Sequence, residues 1–342
     1  MATKKVRKKA TKKKAASAAD SKGDGNAENE STDTVTQKDS SKSSTRVPDY
    51  SDASNVITKI QSGDIDSIRD AITKHALSLA SKHGLDSYKI LVLHDERDSI
   101  SSWHSNRIYT GASNGDLDKD ILLVVTSTGG SIEPAYLISK TCKRLSSSRF
   151  VVAVPRKAKS AATLIALGAD EIHMGLLSEL GPVDPQIGGY PALGTQHALN
   201  VLAKLACSFP EASNMLATVL NKKLDLRDLG YMDRISESAV QYAERLLSGK
   251  EFPDGKTAQS LADHFVNHYK DHSFVIDVDE ATELLGSDIV KRRTAEYGFA
   301  NDLYTSLDIF RLVLGWEKKH ELDFVGSLEG GIHTQPKRNT QR

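Results

Sequence analysis

The chain has 342 residues, 39 % of them hydrophobic, so it is long enough to bury a sizeable core and is not disordered as a whole. Lysine plus arginine and aspartate plus glutamate both total 45, so net charge gives no reason to expect nucleic acid as the main partner. No apolar run approaches the roughly 20 residues of a membrane span, and the charged start lacks the apolar segment of a secretory signal, which predicts a soluble, cytoplasmic protein.

The first 50 residues differ in composition from the rest. Residues 1–14 carry eight basic side chains and no acidic one, and small polar residues dominate the stretch up to 46. Such a composition cannot bury enough apolar surface to offset its conformational entropy, so residues 1–50 are predicted to form a disordered tail. The basic cluster Lys4–Lys14 could contact an anionic partner weakly, nucleic acid or a membrane surface, but a solvating tail is the simpler interpretation.

Short apolar runs alternate with helical patterns after this tail. Residues 55–84 have the spacing of an amphipathic helix that ends at Gly84. Buried strands are predicted at 89–94, 121–125, 150–154 and 171–174, and helices at 132–145 and 161–167. Strands that alternate with crossover helices imply an α/β fold whose sheet is mostly parallel and flanked by helices.

From residue 192 onward the apolar spacing is mainly helical. Helices are predicted at 195–207, 210–221, 235–248, 256–270, 279–286 and 302–318, with a short strand-like segment at 274–276. We therefore expect a helical C-terminal extension over 291–326, followed by a flexible tail over 327–342. The two cysteines, Cys142 and Cys207, both fall in apolar helical patterns and are predicted to be reduced core thiols.

The first segment with chemical content follows the strand at 121–125. It reads Thr126-Ser-Thr-Gly-Gly-Ser131 and leads into a helix. Adjacent glycines at the carboxyl end of a strand allow backbone conformations barred to other residues, and their N–H groups can point at a developing oxyanion. Taken alone, such a turn is more often structural than catalytic.

The second segment follows the strand at 150–154. Ser160 falls at the amino end of a short apolar helix, where free backbone N–H groups and the helix dipole favour an alkoxide or an oxyanion. The alternative is a plain helix N-cap, since serine is a favoured cap residue. The small neighbours Ala158, Ala161 and Ala162 favour the catalytic interpretation, because they would leave room for a substrate.

Together these segments resemble a known family. A strand followed by Ser/Thr-x-Gly-Gly-x-Ile/Val, and about 30 residues later a strand, a serine before small residues and Ala169-Asp-Glu-Ile172, is similar to the Clp-fold serine peptidases. Within them the chain resembles the serine dehydrogenase proteinase family, which is related to signal peptide peptidase A. The resemblance continues through Ser178-Glu-Leu-Gly-Pro-Val-Asp-Pro-Gln186 and covers roughly 85–290. It implies a Clp/crotonase-like fold, with the peptidase domain at 55–290.

The resemblance also implies roles for individual residues. Ser160 would be the nucleophile, and the backbone N–H groups of Gly129 or Gly130 and of Ala161 would form the oxyanion hole. The reaction would be the cleavage of a peptide bond through an acyl-enzyme on Ser160. No cofactor and no metal site are expected.

The general base departs from the Clp pattern. Where those proteases carry a histidine, this chain has Asp184, and in the later loop where they carry an aspartate it has His272. An exchange of the two positions would make His272 the base and Asp184 its orienting partner, because a triad is defined by roles and not by chain order. Asp271 is another possible orienter. A Ser-Lys dyad of the kind found in signal peptide peptidases is the rival, and Lys204 is its nearest candidate.

The predicted function is that of a serine endopeptidase acting on peptides or unfolded proteins. Two alternatives stay open from the sequence: a crotonase-like acyl-CoA enzyme, which shares the fold and the oxyanion hole, and a catalytically inactive Clp-fold scaffold that binds peptides. By analogy with other Clp-fold proteins, we expect a homo-oligomer.

Overall fold

The computed structural model describes residues 48–115, 118–187, 190–223 and 225–337. Its strands are β1 (Tyr88–Asp95), β2 (Asp120–Ser127), β3 (Phe150–Val154), β4 (Lys157–Ala158), β5 (Glu171–Met174), β6 (Glu179–Leu180), β7 (Gln186–Ile187), β8 (Tyr190–Pro191), β9 (Val290–Lys291), β10 (His320–Ser327) and β11 (Ile332–Pro336). Its helices are α1 (Ala53–Ser62), α2 (Ile65–Lys82), α3 (Ser102–Ser113), α4 (Ile132–Leu145), α5 (Ala161–Leu167), α6 (Ala192–Ser208), α7 (Ser213–Lys223), α8 (Leu226–Leu247), α9 (Ala258–Asp263), α10 (Val278–Leu285) and α11 (Ala295–Glu317).

The main sheet has the strand order β11-β10-β1-β2-β3-β5-β9. The strands from β1 to β9 in this order pair in parallel, and β10 and β11 add an antiparallel edge. Parallel strands covered on both faces read as continuous apolar runs, which is why the sequence pattern located them. The predicted α/β fold, a mostly parallel sheet flanked by helices, is confirmed.

Side chains of each central strand alternate between two hydrophobic cores. In β1, Leu91 and Leu93 join the core that also contains residues of α4, α5 and α8. Ile90 and Val92 face the opposite core, beneath α2 and α11. The sheet is therefore buried on both faces, and only the loops at the ends of its strands are open to a ligand.

The helix predicted over 55–84 is two helices. α1 ends at Ser62 and α2 begins at Ile65. Gly63 has no room for a side chain, since a Cβ built there would lie 2.7 Å from the carbonyl oxygen of Lys59. Asp64 then caps α2, its carboxylate accepting the backbone N–H of Ser67 at 2.7 Å.

The described residues begin inside the predicted amino-terminal tail. Tyr50 is buried, and its ring packs edge-on against Phe310 with the centroids 5.1 Å apart. An aromatic side chain in the core anchors the backbone, so the predicted boundary at 50 is wrong. The basic cluster Lys4–Lys14 and the rest of residues 1–47 lie outside the described residues.

The C-terminal extension and flexible tail are also predicted incorrectly in part. α11 is helical as expected, but β10 pairs with β1 and β11 pairs with β10, so the segment after α11 completes the main sheet. Leu322, Phe324 and Ile332 are buried there. The glycines near 330 close a hairpin, in which the N–H of Val325 donates to the carbonyl of Gly331 at 2.7 Å. Fraying of this hairpin would expose these apolar side chains to water. Residues 338–342 of the predicted tail lie outside the described residues.

The region after residue 192, which the family analogy suggested as a source of an apolar subunit surface, carries several exposed apolar side chains. We call this surface the α6–α7 face, and its exposed side chains are Val201, Leu205, Phe209, Met215 and Val219. Cys142 is buried as expected, whereas Cys207 is exposed, so the prediction of two core thiols is wrong for Cys207. Within the described ranges, no helix combines the length and hydropathy needed to cross a bilayer.

Candidate active site

Ser160 lies in a strained backbone conformation at the start of α5. Its φ is 52° and its ψ is −121°, a region that costs a residue with a side chain about 1–3 kcal/mol. Such strain is typical of catalytic residues on tight strand-to-helix turns. The side chain of Ser160 makes no capping hydrogen bond and is partly exposed. The Ser160 hydroxyl therefore does not cap the helix, which argues against the N-cap interpretation considered from the sequence.

The small residues around Ser160 have a packing role. Ala158, Ala161 and Ala162 are fully buried in the core. The prediction that they leave room for a substrate is wrong, since their methyl groups face the protein interior. They fix the start of α5 in the core, which holds the Ser160 backbone rigidly at its edge.

The Gly129-Gly130 turn lies directly against Ser160. A Cβ built on Gly129 would lie 2.7 Å from the Cβ of Ser160 and 3.2 Å from the backbone nitrogen of Ala161. Both glycines have positive φ, 106° and 153°, which a residue with a side chain rarely adopts. The two segments that the sequence singled out therefore meet at one point.

The backbone N–H groups at this point differ in their partners. The N–H of Gly129 donates to the hydroxyl of Ser127 at 3.2 Å. The N–H groups of Gly130 and Ala161 donate no hydrogen bond to any described residue. Because a backbone donor near the core rarely stays unpaired, these two N–H groups are the candidates for an oxyanion hole.

Substituting Gly129 by alanine is expected to lower kcat by about 10²–10³-fold, because the new methyl group would push the turn away from Ser160. Gly84→Ala is the matched control: Gly84 also has positive φ, 69°, but nothing lies within 4 Å of a Cβ built there. The rate of the peptide hydrolysis that the family resemblance implies, measured for both variants at equal folded fraction, separates the local clash from backbone strain. Equal losses in the two variants would contradict this geometry.

A segment that the sequence did not reveal holds the glycine turn in place. The N–H of Ile100 donates to the carbonyl of Gly129 at 2.8 Å, and the N–H of Ser131 donates to the carbonyl of Ile100 at 2.9 Å. Behind it, the ring of His104 accepts the N–H of Ser101 at 3.1 Å and donates through Nε2 to the buried carboxylate of Asp95 at 3.2 Å. The segment from Ile100 to His104 therefore fixes the direction of the glycine turn. Its only sequence signal is Asp95 at the end of a strand, with Ser101-x-x-His104 behind it.

His272 and Asp184 are in contact, although 88 residues separate them. Nδ1 of His272 donates a hydrogen bond to Oδ1 of Asp184. Asp184 is buried, with 5 % of its surface exposed, whereas the His272 side chain is 26 % exposed. A buried carboxylate that accepts Nδ1–H fixes the tautomer of the ring and leaves Nε2 free to accept a proton.

Two side chains next to Ser160 tie it to the loops that carry this pair. Nζ of Lys159 donates to the carbonyl of Phe274 at 3.0 Å and forms an ion pair with Glu179 at 2.7 Å. The hydroxyl of Thr163 lies 2.8 Å from the carbonyl oxygen of Gly181 and accepts the N–H of Gly181 at 2.9 Å. The loops of His272 and Asp184 are thus both anchored to the segment of Ser160.

The candidate general bases and orienting carboxylates differ in the hydrogen bonds and ion pairs that they already make. Among the described residues, no hydrogen bond joins Ser160 to His272 or to Lys204, and such catalytic bonds often tighten only when substrate binds. Lys204 is an exposed residue of α6 with no polar partner among the described residues.

The other candidates already have partners. Lys159 forms an ion pair with Glu179 and donates to two backbone carbonyls. Asp271 is exposed and accepts the N–H of Ser273 at 2.9 Å. Asp184 is therefore the carboxylate that contacts His272.

Lys250 caps the other end of the Ser160 helix. Its Nζ donates to the carbonyl of Leu167 at 2.6 Å and to that of Ala169. Burial lowers the pKa of Lys250 to about 8, with the neighbouring Lys143 adding to the effect and Asp170 opposing it. The amine satisfies carbonyls that a helix end otherwise leaves unpaired.

Lys250→Met is expected to lower the free energy of unfolding by about 1–3 kcal/mol, because two buried carbonyls lose their donor. The folded-state pKa of about 8 lies below the unfolded value, so the folded protein binds fewer protons between about pH 8 and pH 10.5. In that window the stability difference between wild type and variant should increase with pH. Urea unfolding from pH 7 to pH 10 measures it, and a difference that shrinks with pH would contradict the assignment.

Comparison with known proteins gives the family. The family model described as "ClpP-like SDH-type serine proteinase" matches residues 98–289, more than half of the chain. The chain belongs to this family. The resemblance deduced from the sequence is confirmed, and the matched range contains Ser160, both glycines, Asp184 and His272.

The individual relatives are distant. One uncharacterized protein of Methanocaldococcus jannaschii is 28 % identical over 228 residues, which cover 67 % of this chain and 68 % of the relative. A second uncharacterized protein of that organism is 34 % identical over 109 residues, covering 32 % of this chain and 34 % of its own length. Among solved structures, a mutant of the 1510-N membrane-bound stomatin-specific protease is 15 % identical with a TM-score of 0.38, covering 59 % of this chain and 79 % of that one.

The described part of the chain contains no group of three or more histidine, cysteine, aspartate or glutamate side chains arranged to hold a metal ion. The polar groups of its candidate site are the Ser160 hydroxyl, the imidazole of His272 with the carboxylate of Asp184, and the backbone amides of the glycine turn. These are the groups that acyl transfer through a serine requires.

Proposed function

We propose that the protein is a serine endopeptidase that cleaves peptide bonds through an acyl-enzyme on Ser160. One observation carries the proposal. The hydroxyl of Ser160 makes no capping hydrogen bond and its residue lies against a glycine turn, where the N–H groups of Gly130 and Ala161 are unpaired. Membership of a serine proteinase family supports it.

In the proposed reaction, Nε2 of His272 takes the proton of the Ser160 hydroxyl as Oγ attacks the carbonyl carbon of the peptide bond. Asp184 holds Nδ1–H and stabilises the imidazolium that forms. The N–H groups of Gly130 and Ala161 receive the negative charge on the carbonyl oxygen. The C–N bond then breaks, the amine leaves with the proton from His272, and water releases the acyl group by the reverse sequence of proton transfers.

Hydrolysis of an unfolded polypeptide tests this proposal. Purified protein should cut dye-labelled, denatured casein into internal fragments that mass spectrometry identifies. A serine-directed phosphonate should stop the reaction, because Ser160 attacks phosphorus and the leaving group departs. A protein that binds the casein without cutting it would instead be a peptide-binding scaffold. A protein that hydrolyses an acyl-CoA thioester but no peptide would be a crotonase-like enzyme.

The α6–α7 face supports assembly into a homo-oligomer, because its five exposed apolar side chains, four on the two helices and Phe209 between them, favour burial against a second copy. Light scattering coupled to size exclusion should give a mass several times that of the 37.2 kDa chain. The double variant Phe209→Asp, Val219→Asp should reduce it to the monomer mass. A wild-type protein that elutes as a clean monomer would contradict this assembly.

A further inference from the structure

A second aspartate–histidine pair lies behind the glycine turn. Nε2 of His104 donates to Oδ2 of Asp95 at 3.2 Å, and 3 % of the histidine side chain and 2 % of the aspartate side chain are exposed. The other carboxylate oxygen of Asp95 accepts the backbone N–H groups of Arg97 and Asp98, both at 2.9 Å. Both oxygens of this buried carboxylate thus have partners, so Asp95 holds the imidazole of His104 in one place.

The hydrogen bonds of His104 indicate one tautomer of its ring. Because Nε2 donates to a carboxylate, the lone pair lies on Nδ1, which accepts the backbone N–H of Ser101 at 3.1 Å. The Ser101 hydroxyl lies 3.1 Å from the same nitrogen, and the two residues form a capping box at the start of α3. Since a backbone N–H already occupies Nδ1, this imidazole holds the main chain and does not activate the Ser101 hydroxyl.

A single peptide unit carries this contact to the glycine turn. The N–H that His104 accepts belongs to Ser101, and the carbonyl of the same peptide unit, that of Ile100, accepts the N–H of Ser131 at 2.9 Å. The N–H of Ile100 donates to the carbonyl of Gly129 at 2.8 Å. These bonds hold the glycine turn on both sides of residue 130.

The backbone of Ile100 leaves no space for Gly130 to move toward it. A Cβ built on Gly130 would lie 2.1 Å from the nitrogen of Ile100. The N–H of Gly130 is one of the two candidate donors of the oxyanion hole, and such a donor works only when it points at the developing charge. The direction of this N–H therefore depends on where the peptide unit between Ile100 and Ser101 is held.

We propose that Asp95 and His104 are positioning residues for the oxyanion hole, which act by fixing that peptide unit and, through it, the N–H of Gly130. The inference deepens the proposed endopeptidase function and rests on it, since an oxyanion hole serves only an enzyme that stabilises a negative carbonyl oxygen. A misplacement of about 1 Å in catalytic geometry can cost about 10²-fold in rate, so loss of this support should slow turnover although Ser160 remains.

Substitutions of His104 distinguish positioning from packing. His104→Ala removes the acceptor of the Ser101 N–H and should lower kcat by about 10–100-fold, with KM changed by less than about twofold, because the displaced donor serves the transition state. His104→Gln should recover most of this loss. Its amide can donate to Asp95 and accept the Ser101 N–H, as glutamine does at the same position of an ordinary capping box.

His75→Ala is the matched control. His75 is also buried, and its Nε2 lies 2.8 Å from the hydroxyl of Ser306, between α2 and α11 on the other side of the sheet. This variant should lower Tm about as much as His104→Ala does, because each removes a buried imidazole, yet keep kcat within about twofold of the wild type. A wild-type kcat in His104→Ala, or an equal loss of kcat in His75→Ala, would overturn the positioning role.

Amide hydrogen exchange tests the same support without requiring catalysis. The N–H of Ser131 is bonded to Ile100, so its exchange should become at least about tenfold faster in His104→Ala and stay unchanged in His75→Ala. Asp95→Asn should have the same effect as His104→Ala. An amide accepts at only one end, so either His104 or the N–H groups at 97 and 98 lose their acceptor.

The two measurements together separate this inference from the proposed function. If the wild type cuts peptides and His104→Ala keeps its full kcat, the positioning role is refuted and the endopeptidase stands. If the wild type cuts no peptide but exchange at Ser131 accelerates in both variants, the endopeptidase proposal fails, while the hold of Asp95 and His104 on the glycine turn is supported. Unchanged exchange in both variants would refute that hold.

Discussion

Replacing Ser160 with alanine is expected to reduce peptide hydrolysis by about 10⁶-fold, to the residual rate that an oxyanion hole and substrate binding supply without a nucleophile. The loss should be in kcat, because the hydroxyl forms its bond to substrate only in the reaction. Initial rates on the casein substrate measure it. KM should change little, since the glycine turn remains.

The fold of the Ser160→Ala variant should survive, because the side chain makes no capping hydrogen bond. Circular dichroism and Tm check this point. Ser148→Ala, at an exposed serine on a loop, is the matched control and should retain wild-type activity. Substantial hydrolysis by Ser160→Ala would show that another residue carries out the chemistry.

Replacing His272 with alanine is expected to cost about 10⁴–10⁶-fold in kcat, whereas Lys204→Ala should stay within about twofold of the wild type. The reason is the contact with Asp184, which orients the imidazole, while exposed Lys204 has no such partner among the described residues. Rates for both variants are measured with the same peptide. The opposite result, an inactive Lys204→Ala and an active His272→Ala, would establish a Ser-Lys dyad.

Asp184→Asn provides a finer test of the same pair. An amide in place of the carboxylate keeps the shape but can hold the wrong tautomer of His272, so a loss of about 10⁴-fold is expected. Asp271→Asn, on the same loop as His272, should have little effect because Asp271 bonds only within its own turn. If only Asp271→Asn lost activity, Asp271 and not Asp184 would be the residue that orients His272.

Much of the fold could be predicted because its signals are local. The strands at 121–125 and 150–154 are buried on both faces and read as unbroken apolar runs. The errors arose where tertiary contacts override composition. The hairpin of β10 and β11 is stabilised by its burial against distant helices, and Tyr50 is held by Phe310 in α11, which no local pattern indicates.

The candidate site was only partly accessible to sequence reasoning. Ser160 and the glycine turn carry motifs, but which glycine keeps its N–H free depends on the hydroxyl of Ser127. The pairing of His272 with Asp184 came from a family resemblance, since residues so far apart have no local signal. Ile100 acts through its backbone alone, so its role could not be predicted from the sequence.

The most direct test of the central claim is to locate the adduct of a fluorophosphonate by mass spectrometry of digested protein. Attack by Ser160 on phosphorus expels fluoride and leaves a stable phosphonyl ester. The geometry predicts one modified peptide, containing Ser160, and a rate of labelling that falls sharply in His272→Ala and in Gly129→Ala. An adduct on a different residue, or active protein that stays unlabelled, would contradict the assignment of Ser160 as nucleophile.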